Sequence, residues 1–205
     1  MEKDYRKDIS EIRQMMERSS RFISLSGLSG ILAGIYALIA AYIAFKIAYT
    51  FETIEYQEML VRNVRGKKLE LMLTAVSTLA LAIMTGIILT KQKAKKQGLT
   101  SWDKTAKKVV LNLLIPLIVG GILVVIFYQN GYIRLIAPMT LIFYGLGLIN
   151  ASHYTYRDIR LLGISEIIIG LIACIFTGYG LLFWSLGFGL LHIVYGALMY
   201  FKYDK

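Results

Sequence analysis

Long apolar runs that are almost free of charge recur along this 205-residue chain, and they decide what it can fold into. A helix needs roughly 20 apolar residues to cross a bilayer. Four runs have about this length, and a fifth run, 161–201, is twice as long and is interrupted by Gly178, Tyr179 and Gly180. Glycine clusters of this kind are typical of tight turns. The sequence therefore predicts six transmembrane helices.

The fold class follows from the same runs. Hydrophobic residues make up 57% of the chain, more than an ordinary soluble domain contains. Within lipid only helices and closed barrels satisfy their backbone hydrogen bonds, and no run alternates with the two-residue period of a barrel strand. We therefore expect an all-α polytopic membrane protein with a single transmembrane domain over 22–205. Its spans are expected at about 22–46, 69–90, 107–128, 133–152, 161–178 and 181–201.

The first 21 residues precede the first apolar run and are rich in charge. Tyr5, Ile9 and Ile12 recur at helical spacing, which predicts a short amphipathic helix over 1–21. Such a helix lies along the membrane surface, packs on a neighbouring element or forms a solvated leader.

The distribution of charge predicts the orientation. The chain has 23 Lys and Arg residues and a net charge of +10. Most of these cations lie in the N-terminal segment, between spans two and three, after span four and at the C-terminus. The positive-inside rule then places both termini in the cytoplasm of a cell whose inner (plasma) membrane holds the protein. The cations are expected to attract anionic lipid headgroups, and no nucleic-acid partner is expected.

Small residues mark the faces on which helices pack closely in lipid. In span one Gly30 and Gly34 are four residues apart on one face. This pattern fits either a central helix of the bundle or the seam of a homo-oligomer. Further packing glycines are expected in span five, Gly163 and Gly170, and in span six, Gly189 and Gly196.

Two ionisable residues stand out because such groups are costly inside a membrane. Glu166 is the one acidic residue within a span, and His192 is the one histidine well inside a span. If spans five and six form a hairpin folded at Tyr179, Glu166 faces His192. The same register pairs Gly163 with Gly196, and Gly170 with Gly189.

The pair has two interpretations. Interhelical hydrogen bonds can simply hold helices together. Alternatively, the pair could bind an ion or a proton, since histidine titrates near neutral pH and a carboxylate favours its charged form. Asn150, His153 and Tyr195 are candidates for extending the site toward the cytoplasm.

Motifs of soluble enzymes and of metal or nucleotide sites are missing from the sequence, so neither a cofactor nor a metal is expected. Gly27-Leu28-Ser29-Gly30 resembles the GxSG motif of rhomboid intramembrane proteases, which also keep their base in span six, where His192 lies. This resemblance implies an intramembrane hydrolase using Ser29 and His192. The chain departs from that family because its serine lies in the first span, not the fourth.

The chain as a whole resembles small six-span proteins of bacterial inner membranes, notably in the segments 19–27 and 187–192. That resemblance implies location but carries no activity. The expected function is therefore non-enzymatic: a compact helical bundle for interaction, sensing or regulation. The alternatives are a small transporter or channel for an ion, a proton or a solute that uses Glu166 and His192, and the hydrolase.

Overall fold

A computed structural model of the protein describes residues 24–49, 65–99 and 102–204, together with Ile9 and Phe22. Helices and the turns between them make up these residues, and no strand occurs among them. The all-α prediction is confirmed for this part of the chain. Ile9 is helical, and the rest of the amphipathic helix predicted for 1–21 lies outside the described residues.

Each of the six predicted apolar segments contains a helix. The helices are α1 (Gly27–Tyr49), α2 (Arg65–Lys96), α3 (Lys104–Gln129), α4 (Ile136–Ala151), α5 (Arg157–Ile175), α6 (Gly180–Trp184) and α7 (His192–Tyr203). A π-helical segment, Ser185–Leu191, joins α6 to α7. These last three elements run on without a break and are called the C-terminal helix below. The sequence predicted one regular helix there and missed the π-helical segment.

Five of the described helical segments are long and apolar enough to cross a membrane. They contain α1, α2, α3, α4 and the C-terminal helix. The remaining helix, α5, is 19 residues long, and any 18 consecutive residues of it include the three charged residues Asp158, Arg160 and Glu166. Its length is sufficient, so charge alone separates it from the other five.

The helices pack as two groups. In the first, called the central group, α4 lies between α3 and α5. In the second, called the terminal group, α1 lies between α2 and the C-terminal helix. The two groups meet where the C-terminal helix contacts α4 and α5, and this boundary is called the junction.

Glycines allow α1 and the C-terminal helix to approach closely. A Cβ atom at Gly196 would lie 2.6 Å from the backbone nitrogen of Ile31, and one at Gly34 would lie 2.6 Å from the carbonyl oxygen of Gly189. A Cβ at Gly30 would lie 3.1 Å from the Cα of Gly196. The two helices therefore pack backbone to backbone, as small residues permit.

The predicted glycine pairing between spans five and six is wrong. Gly163 packs on Gly145 of α4, and Gly170 packs on Ile142 of the same helix. Gly189 and Gly196 instead pack on α1. The spacing correctly put each glycine row on one face, but each face meets a different helix. Between α5 and the C-terminal helix, the side chain of Glu166 reaches His192 and Gly187.

The outer surface of the terminal group is strongly apolar. On α2 no residue of the most apolar 18-residue stretch is buried. Leu73, Val76 and Leu79 are each more than half exposed. Their apolar surface is left uncovered by the described residues.

Candidate functional site

Glu166 lies at the junction and is completely enclosed. Its side chain has 0% exposure, although it is a carboxylic acid. Helix α5 directs it away from the exposed Ile168 and Leu171 and toward the C-terminal helix. A buried ionisable group without a partner is costly, so its neighbours decide its state.

His192 approaches Glu166 from the C-terminal helix. The distance from His192 Nδ1 to Glu166 Oε1 is 3.3 Å. The same nitrogen lies 3.1 Å from the carbonyl oxygen of Gly187. A carbonyl accepts, so Nδ1 carries the proton and donates to Gly187. The sequence predicted the juxtaposition of Glu166 and His192, and the structure brings them together; the role of the pair stays a prediction.

The contact between Glu166 and His192 is longer than a directed hydrogen bond. Hydrogen bonds from nitrogen to oxygen cluster at about 2.7–3.2 Å, just shorter than the 3.3 Å found. Neither carboxylate oxygen of Glu166 has a hydrogen-bond partner among the described residues. The carboxylate is therefore close to one potential charge and otherwise unsatisfied.

Tyr144 of α4 completes the cluster. Its hydroxyl lies 2.8 Å from His192 Nε2, and its ring stacks on the imidazole with 5.3 Å between centroids. With Nδ1 protonated and the ring neutral, the hydroxyl donates to Nε2. Because Tyr144 is on α4, Glu166 on α5 and His192 on α7, the cluster connects both helix groups.

Glycine makes the room for this cluster. A Cβ at Gly187 would overlap Glu166 Oε2, and it would lie 2.5 Å from a methyl carbon of Leu141. Gly187 also supplies the carbonyl that holds His192. It belongs to the π-helical segment, a feature often found at functional sites. Gly187 thus leaves space for the Glu166 carboxylate and also orients the His192 ring.

Sequence reasoning missed Tyr144 and Gly187. A signal for Tyr144 was present, since a tyrosine far from either end of its span must find a partner for its hydroxyl. Gly187 gave no comparable signal, because the sequence does not reveal that the helix widens at this point.

Asn150, His153 and Tyr195 were predicted to extend the site. Asn150 and His153 are exposed, and among the described residues no hydrogen bond or ion pair joins either of them to Glu166 or His192. The hydroxyl of Tyr195 lies 3.4 Å from Oγ of Ser165, the residue that precedes Glu166. Asn150 and His153 therefore do not form a polar path that leads away from the pair.

The residues of the hydrolase alternative have other partners. Ser29 Oγ donates to the carbonyl of Ser26 at 2.6 Å. Both nitrogens of His192 are engaged, by Gly187 and by Tyr144. A serine nucleophile needs hydrogen-bond contact with its base, so this arrangement does not favour hydrolysis.

A second polar cluster, which was not predicted from the sequence, lies where the start of α1 meets the end of the C-terminal helix. Lys93 Nζ donates to Asp204 Oδ1 at 2.6 Å and to the carbonyl of Leu25 at 2.8 Å. Asp204 Oδ2 accepts from the backbone nitrogen of Gly27 at 2.9 Å. The carboxylate thus caps the positive end of α1. Burial and then the Asp204 carboxylate raise the pKa of the nearby Tyr156 hydroxyl.

Metal binding has no support in the described part of the chain, where no three His, Cys, Asp or Glu residues are grouped as ligands. The cluster at the junction offers an acid, an imidazole and a phenol, which can exchange protons. No family model, curated protein sequence or solved structure matches this chain.

Proposed function

We propose that this chain is an integral protein of a bacterial inner membrane that crosses the bilayer six times with both termini in the cytoplasm. It acts without catalysis, as a bundle for interaction, sensing or regulation. The observation that carries this proposal is the inversion of polarity: the acid Glu166 is fully enclosed, while large apolar side chains of α2 face outward.

The outward apolar surface supports a lipid environment. Monomeric soluble proteins rarely expose contiguous apolar patches of more than a few hundred Å². The outer surfaces of α2 and α3 are dominated by exposed Leu, Ile, Val and Met. In lipid such a surface costs nothing, because hydrocarbon chains are as apolar as leucine.

The charges of α5 are compatible with a sixth crossing. Asp158 lies at the start of the helix, where it accepts from Tyr203 at 2.6 Å and from Lys202. Glu166, deeper in the helix, faces His192. Acids inside membranes face the bundle interior and pair in this way.

Contacts between the start of α1 and the end of the C-terminal helix support an even number of crossings. Asp204, after the C-terminal helix, binds the first backbone nitrogen of α1 at Gly27. Lys93, near the end of α2, binds the same carboxylate. Three helix ends therefore lie together at one end of the bundle: the start of α1, the end of α2 and the end of the C-terminal helix.

Cysteine labelling tests the topology. In a Cys174→Ala background, a cysteine at Gln97 is expected to react only from the cytoplasmic side, and a cysteine at Gln57 only from the outside. The reason is that an odd number of crossings, one, separates the two positions. The parent without cysteine is the control. Reaction of both positions from the same side would contradict the proposal.

Proton transport is a second candidate, favoured by one observation. Both oxygens of Glu166 lack a hydrogen-bond partner among the described residues, so either can accept a proton. Against transport stands the enclosure of Glu166, whose exposure is 0%. A carrier must give its site access to water from each side in turn.

Proton flux in liposomes separates the two candidates. With a potential imposed across the membrane, we expect the reconstituted protein to acidify or alkalinise the lumen no faster than protein-free vesicles do. Flux that Glu166→Gln and His192→Ala abolish, and that His153→Gln leaves intact, would establish transport and overturn the non-transporting proposal.

A further inference from the structure

We infer that Glu166 and His192 form a proton-operated switch at the junction, and that a second bound proton loosens the π-helical segment from α5. This inference rests on the proposed function and names its signal, the proton, and its moving part, Ser185–Leu191.

The pair is expected to hold one shared proton in its packed state. An ionised carboxylate that is removed from water without compensation costs several kcal/mol or more. Glu166 has 0% exposure and one potential counter-charge, His192, at 3.3 Å. A carboxylic acid beside neutral imidazole, or a carboxylate beside imidazolium, leaves the pair without net charge. Each form has one proton more than an ionised carboxylate beside a neutral imidazole would have.

The space around the pair admits a proton but no metal ion. Gly187 lies so close to Glu166 Oε2 that even a methyl group there would overlap it. A hard cation needs about six oxygen ligands at roughly 2.0–2.6 Å. Glu166 and the carbonyl of Gly187, the two oxygen-bearing groups beside His192 Nδ1, together supply only three oxygen atoms. A proton needs neither added volume nor added ligands.

The groups around the pair cannot neutralise the positive charge that a second proton adds. From α4 the facing group is the Tyr144 hydroxyl, which is uncharged. From α5 it is Glu166 itself, and within the C-terminal helix His192 stacks beside the apolar ring of Phe188. From α1, Gly34 and Leu38 present backbone and apolar atoms to the C-terminal helix. When acid protonates both Glu166 and His192, one positive charge is left in this enclosed position.

Opening of the junction lowers the free-energy cost of this buried positive charge. The π-helical segment holds His192 through the Gly187 carbonyl and covers Glu166 at the same residue. Loosening this segment admits water to the charged imidazolium, while glycine contacts keep α4 packed on α5 and α1 packed on the C-terminal helix. The switch is therefore a local opening of low free energy and not global unfolding.

Hydrogen exchange of the intact protein in lipid nanodiscs tests the switch. We expect amides of Ser185–Leu191 to exchange faster as the pH falls from 8 to 5, after correction for the intrinsic pH dependence of exchange. One linked proton limits the change in protection to about tenfold per pH unit. The double variant Glu166→Gln, His192→Gln should lose this pH dependence.

His153→Gln is the matched control, because it removes the other histidine of the chain, which is exposed. It should keep the full pH dependence. Corrected exchange that is independent of pH in the wild type would overturn the switch without any variant. Dependence that persists in the folded double variant would overturn it too. Neither result would bear on the proposed topology, whose orientation across α2 is tested separately by the labelling of Gln57 and Gln97.

Discussion

His192→Ala is expected to lower the free energy of unfolding by about 3–5 kcal/mol, because it leaves Glu166 buried without its counter-charge. A weaker role for His192 predicts a smaller loss: an interhelical hydrogen bond in a membrane contributes roughly 0.6 to 2 kcal/mol. The size of the effect therefore distinguishes a charge-compensating pair from an ordinary polar contact. Unfolding in mixed detergent micelles, followed by circular dichroism, measures it.

His153→Ala is the control for this substitution. His153 is exposed, so its truncation should change the free energy of unfolding by no more than about 0.5 kcal/mol. If His192→Ala were as mild as this control, Glu166 would not depend on His192 for its burial.

Gly196→Leu is expected to prevent the close packing of α1 on the C-terminal helix. A Cβ there would meet the nitrogen of Ile31 at 2.6 Å and the carbonyl oxygen of Gly27 at 2.9 Å. Both are backbone atoms, which cannot rotate away as a side chain can. Overpacking of a core costs typically about 1–3 kcal/mol and sometimes more. We expect a loss at the upper end of this range or failure to fold, measured as the fraction of monodisperse protein after extraction.

Gly86→Leu provides a matched control on α2. It adds the same side chain to a helical glycine, but nothing lies within 4 Å of the Cβ position. Replacing glycine by leucine also gains about 0.5–1 kcal/mol of helix propensity. Gly86→Leu should therefore be as stable as the wild type or more so. Equal yields of folded Gly196→Leu and Gly86→Leu protein would disprove close packing at Gly196.

The sequence revealed the helices and the central pair for a physical reason. Ionisable residues inside long apolar runs are so unfavourable that each needs a partner. With a turn fixed near Tyr179, Glu166 and His192 were the two such residues at matching distances from it. Chemical scarcity and depth together therefore sufficed to predict that they meet.

The partners of the glycine rows could not be predicted in the same way. Periodicity tells which residues share a face, and Gly163 and Gly170 do share one. It does not tell which helix the face meets, since several helices in the bundle offer small residues. The hairpin assumption chose the next helix in sequence, whereas α5 packs mainly on α4, its predecessor.

The contact between Lys93 and Asp204 could not be predicted from the sequence for another reason. The two residues are 111 positions apart, and both lie at helix ends where charged residues are common and need no partner. Their burial, about 10% exposure for each side chain, follows from the convergence of α1, α2 and the C-terminal helix. Only the assembled fold supplies that information.

A double-mutant cycle on Glu166 and His192 tests the central claim, that these two residues act as one pair across the junction. Glu166→Gln, His192→Gln and the double variant are compared by unfolding in the same micelles. Residues in direct contact show coupling energies of about 0.5–3 kcal/mol, and we expect a value above about 1 kcal/mol, with the double variant more stable than the sum of the single losses predicts. Strictly additive losses would show that Glu166 and His192 contribute independently, and would contradict the account.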